Sequence, residues 1–142
     1  MPKEDYLLKY LEKLSRVIAA MLGLRDKGFP EDAIRLAEET YKELFVLDLE
    51  SIAVLPVSEF IKIIEKESFS PAYIEALAKI THETAHSFNT KGDKQKMRIF
   101  SEKALLLYRL LNEKDKTFSF EREALISGLE KIIDENNSVN KL

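Results

Sequence analysis

Two glycines at matching points divide most of this chain into helical hairpins, and that spacing limits the fold more than any other feature. The stretch from Tyr73 to Leu111 reads as two amphipathic helices joined at Lys91-Gly92-Asp93. A weaker copy of the pattern turns at Lys27-Gly28-Phe29-Pro30. A glycine just past a helix takes the left-handed conformation without a Cβ clash, so each one is a stop signal. With only four glycines and four prolines in 142 residues, few turns are available. The helices must therefore be long, and no run alternates with period two over a convincing length. The expected class is all-α, with five to six helices in antiparallel hairpins.

Helix one spans about Lys3 to Lys27, with Leu7, Leu11, Leu14, Ile18 and Met21 forming one stripe at spacings of four and three. Pro30 suits the first position of helix two, and Glu31 and Asp32 sit well beside its positive end. That helix buries Ala33, Ile34, Ala37, Tyr41, Leu44 and Phe45 and stops near Val46 to Asp48, closing hairpin one at 3–48. Residues Leu49 to Pro56 are apolar without periodicity and read as an ordered connection. A short helix over 57–67 turns Phe60, Ile61 and Ile64 inward. Ser70-Pro71 is a start signal, with serine capping and proline in the first turn. Hairpin two then covers 71–112. Its first helix buries Ile74, Leu77, Ala78, Thr81, Ala85 and Phe88. Asp93 caps the second, which buries Met97, Phe100, Ala104, Leu105, Tyr108 and Leu111. A charged linker, Glu113 to Thr117, leads to a C-terminal helix over 118–135. This last helix is expected to bury Phe120, Ala124, Leu125, Leu129, Ile132 and Ile133, and the tail beyond it to fray. Together these make a single helical domain.

Composition narrows the roles. Hydrophobic content of 45% with 33% charged residues suits a soluble globular chain rather than a disordered one. A net charge of −3, with no cluster of Lys and Arg, argues against nucleic acid as the main partner. Cysteine is absent, which removes disulfides and thiolate chemistry. The longest apolar run, near Val17 to Leu24, is far short of the ~20 residues that cross a bilayer. The N-terminus has charges every few residues and no apolar core of a secretory signal. No membrane association and a cytoplasmic location are the expectations.

Ala85, Phe88, Gly92, Asp93, Ala104 and Leu105 fall where a tetratricopeptide repeat has its small residue, aromatic, turn glycine, turn acid, small residue and leucine. The second hairpin thus resembles that family. In the first hairpin Gly28 and Ala33 match, with Leu24 in place of an aromatic. The glycines lie close to twice the ~34-residue repeat apart. Met97 and Ser101 depart from the pattern, and no proline follows the second helix of the pair. The layout also resembles a family of uncharacterised bacterial proteins. The shared residues are Asp5-Tyr6-Leu7, Gly23-Leu24-Arg25 with Gly28, and Gly92-Asp93 with Glu102-Lys103-Ala104-Leu105. These resemblances imply a right-handed stack of hairpins and a non-catalytic module that binds a protein or peptide, with no cofactor. Helix one and the last helix would cap the stack, and one of them could pair two copies into a homodimer. A self-assembling structural protein is a further alternative.

His82-Glu83-Thr84-Ala85-His86 spells H-E-x-x-H. In zinc peptidases that spacing points two imidazoles at one metal and offers the glutamate as general base. A metal-dependent hydrolase built on this motif is therefore the alternative function. The usual third histidine is missing, because Asn89 and Gly92 occupy the extension, and the chain has only these two histidines. A carboxylate ligand would have to come from Glu102 or Glu113. No strand is expected that could align a peptide. The other reading follows from helix geometry. His82 and His86 sit about 100° round from the buried stripe, on a face shared with Glu75, Lys79 and Asn89. In a tetratricopeptide-like hairpin that face lines the groove, so Lys79, His82, His86 and Asn89 are the candidates for partner binding. They could equally be solvated.

Three other groups read as structural. Tyr6 and Tyr10 are expected to pack. Glu38 with Glu39, and Glu65 with Glu67, do not share a face and have lysines nearby. Lys91, Lys94, Lys96 and Arg98 form a basic turn that could contact an anion, though a charged hairpin tip explains it as well.

Overall fold

The computed structural model describes residues 3–45, 47–116 and 119–140, and side chains within 7–135 of these. Among them every regular element is helical: α1 Lys3–Asp26, α2 Pro30–Thr40, α3 Leu49–Val54, α4 Val57–Lys66, α5 Pro71–Lys91, α6 Lys94–Lys114 and α7 Phe120–Asn140. The all-α expectation holds. The seven α-helices exceed the expected five to six because residues 49–54 are a helix rather than a connection. Asp48 starts it by accepting the Ser51 N–H at 2.7 Å, and Leu49 and Ile52 bury its inner side.

The anticipated punctuation is in place. Gly28 and Gly92 have φ of 88° and 94°. Ser70 caps α5 by accepting the Tyr73 N–H at 3.3 Å, and Asp93 caps α6 by accepting the Lys96 N–H at 3.0 Å. Apart from its own chain neighbours, no atom lies within 4 Å of a Cβ built at Gly92, so the cost of a side chain there is conformational. Gly92→Ala is expected to destabilise by about 1 kcal/mol, read as a fall in urea midpoint with unchanged slope.

The α5 helix lies at the centre, packed on α1, α2 and α6, while α7 rests chiefly on α6. Its burial goes well beyond one stripe. Every residue expected inside is buried, and so are Ala76, Ile80, Glu83, Thr84 and Ser87. After α2 the backbone widens into one turn of π-helix, Tyr41–Phe45. That turn carries Tyr41 into the core, where its hydroxyl lies 3.1 Å from those of Thr81 and Thr84. The threonine protons go back to the Leu77 and Ile80 carbonyls, so Tyr41 donates. Burial pushes its phenol up to about 12. Phe88 and Phe100 stack at 5.3 Å between α5 and α6.

Several expectations need correction. The α7 helix runs to Asn140, past the expected stop at Glu135, and its buried face differs in the first turn. Leu129 is buried as expected, and Leu125, Ile132 and Ile133 pack partly against the core, but Phe120 is 82% exposed, and Arg122 and Ile126 point inward. Ala124 is exposed too. The cause is Arg122, which donates to Asn112 Oδ1 at 3.0 Å and reaches Asp115 Oδ2 at 3.4 Å. Those bonds hold the Arg122 side chain inward at the first turn of the helix. Tyr10 is 41% exposed rather than packed away. The α6 helix continues to Lys114, two residues into the expected linker. The expected end of helix two at Val46, the start of the last helix at Phe118, and the side chain of Tyr6 lie outside the described residues.

Candidate functional site

The second half of α5 carries His82 and His86 on one side, one helical turn apart. Their rings lie 4.7 Å apart between centroids and are inclined by 22°. The edge of Tyr108, from α6, meets His82 at 6.1 Å. Each histidine is half-buried, at the junction of two concavities. One, of about 380 Å³, opens between α5, α6 and α7 and includes Asn89, Lys94, Met97, Ile132 and Glu135. The other, of about 300 Å³, lies towards α1 and includes Ile18, Lys79, Tyr108, Glu121 and Leu125. Both imidazoles line both clefts.

The electrostatics follow from this placement. Burial, then the neighbouring His86, then Arg25 bring the His82 imidazole down to about 4. Burial also lowers His86, opposed by the Glu83 carboxylate and reinforced by Arg25. Both rings are therefore neutral at pH 7. Burial raises the Tyr108 phenol, with Glu75 and Glu121 adding to the effect.

Glu83 is committed elsewhere. Its carboxylate accepts from Arg25 Nε at 2.7 Å, and the two side chains are only 11% and 22% exposed. The pair ties α1 to α5. Breaking it from one side would leave a charge in a poorly solvated place, a larger cost than that of a surface pair.

The four residues picked as groove candidates are thus divided. His82 and His86 come together, Lys79 joins them only in the cleft towards α1, and Asn89 only in the cleft towards α6. Lys79 pairs loosely with Glu75 at 3.9 Å, and the Asn89 side-chain carbonyl accepts from Lys94. The basic turn is largely engaged. Lys91 faces Glu31 at 3.6 Å, Arg98 meets Glu102 at 3.1 Å, and Lys96 lies 5.5 Å over the Phe88 ring. The acid pairs behave as solvated side chains, with Glu38 bonded to Lys42 along its own helix.

Sequence reasoning missed Met97, Ile132 and Glu135 as cleft residues. It had assigned Met97 and Ile132 to the core, and Glu135 to the end of its helix. Among the described residues no three His, Asp or Glu side chains come together as a metal cage, and Glu102 and Glu113 line neither cleft. No helix among them is long and apolar enough to cross a membrane. Set against known proteins, the chain matches no family model, no curated protein and no solved structure.

Proposed function

We propose that this chain is a non-catalytic, tetratricopeptide-like module that binds a protein or peptide segment across the face floored by His82 and His86. The observation that carries the reading is the meeting of two open clefts on one pair of neutral rings. Apolar contact is offered by Met97, Ile132 and Leu125, and charged rim groups by Lys79, Lys94, Glu121 and Glu135. An extended segment a few residues long would find both kinds of contact. The packing of α1 and α2 together against α5 supports hairpin-on-hairpin stacking. A hydrolase would need Glu83 as a free base, whereas its carboxylate is bonded to Arg25.

Selection from a random peptide library on the intact protein tests this, followed by nuclear magnetic resonance mapping of the enriched peptides. The expected result is shifts in His82, His86 and Met97, with at least ten-fold weaker binding to the His82→Ala, His86→Ala double variant. Peptides that bind yet shift only residues on other faces would reject the assignment.

A further inference from the structure

We propose that His82 and His86 form a two-imidazole site for a divalent transition-metal ion of the zinc, copper and nickel class, whose remaining coordination positions open into the clefts. This goes beyond peptide binding and does not depend on it.

Three observations converge. The first is distance. With Zn–N bonds of about 2.0–2.1 Å, two imidazoles sharing one tetrahedral ion place their ring centres about 5 Å apart. The rings here are 4.7 Å apart, stacked and inclined by 22°. They stand one helical turn apart on one face, the spacing at which two histidines share a metal. Each ring has to turn about its side-chain bonds for a nitrogen of each to meet at one point. The second is availability. Among the described residues neither imidazole hydrogen-bonds to protein, and the only unpartnered side-chain polar atom sealed from solvent is Arg122 Nε. The histidine nitrogens are therefore both unengaged and reachable. The third is the surroundings. Glu121 and Glu135 of α7 line the two clefts, one on each side of the rings. They offset Lys79 and Lys94, which line the same clefts, and could hydrogen-bond metal-bound water. Arg25 is neutralised by Glu83 at 2.7 Å.

The ligand type sets the class of ion. Two uncharged nitrogen donors suit zinc, copper or nickel and not magnesium or calcium, which require oxygen. With no third protein ligand, water or an incoming carboxylate completes the shell. The site is then a binding platform, and the Glu83 carboxylate is already taken.

The test is calorimetric titration of chelator-stripped full-length protein with zinc chloride at neutral pH, with magnesium as the control. The expected result is one saturable zinc per chain, no response to magnesium, and at least ten-fold weaker binding in His82→Ala and in His86→Ala. Absence of saturable zinc binding would overturn the proposal. So would a double variant that binds like wild type, because the ion would then sit on surface carboxylates. If the variants fail to fold, nitrogen-15 spectra of the wild-type histidine rings decide. Both rings shifting together up to one equivalent supports the site, and unmoved rings refute it.

Discussion

Acidification from neutrality to pH 4, in the presence of a chelator, will destabilise this protein steeply, with His82 as the largest single histidine contribution. Its imidazole titrates near 6.5 when exposed and near 4 in the fold. Above 6.5 neither state is charged and the shift has no effect. Between 6.5 and 4 the unfolded chain takes up a proton that the folded chain refuses, so stability falls as pH falls. Below 4 both states are protonated and the loss is complete. A shift of this size corresponds to on the order of 3 kcal/mol, and His86 adds to it in the same direction. Urea melts across this range check the prediction against His82→Gln. That variant keeps the carboxylate titrations and loses this histidine's share. Parallel stability–pH curves for the two proteins would refute it.

The second large effect concerns two phenylalanines that look alike in sequence. Phe100 is fully buried, stacked on Phe88 at the α5–α6 seam. Phe100→Ala removes a side chain from a tightly packed region and should cost about 3–5 kcal/mol. Phe120 is 82% exposed, and Phe120→Ala should change stability by less than about 0.5 kcal/mol. Equilibrium denaturation of the two variants separates this fold from one in which α7 buries its Phe120 face. Similar losses at both positions would show that the helix is rotated the other way.

Local signals were the readable part of this chain. Ser70-Pro71, Gly28, Gly92 and Asp93 act through backbone geometry within a few residues, so their effects could be placed before any packing was known. The buried stripes of α5 and α6 could be found because their periodicity is unbroken. Residues 49–54 were missed because two turns are too few for a period to emerge, although Asp48 followed by Ser51 was a usable cap signal. The first turn of α7 was misread, although Leu129 was placed correctly, because hydrophobicity alone puts Phe120 inside. The deciding contacts belong to Arg122, whose long side chain satisfies Asn112 and the Asp115 carboxylate. At the candidate site, the adjacency of His82 and His86 followed from helix geometry, but the engagement of Glu83 did not. Its partner lies 58 residues away on another helix, and no local pattern records such a pair.

The attachment of α7 chiefly to α6 gives access to the histidine pair its own energy scale. The helix supplies walls to both clefts through Glu121, Leu125, Ile132 and Glu135, yet the central α5 draws its main support from α1, α2 and α6. Lifting α7 would therefore uncover the rings at the cost of the interface that buries Ile126 and Leu129, a local opening rather than a loss of the contacts around α5. Substitutions at the α6–α7 interface would then change access to the rings, while the contacts of α5 with α1, α2 and α6 continue to hold the histidine pair in place.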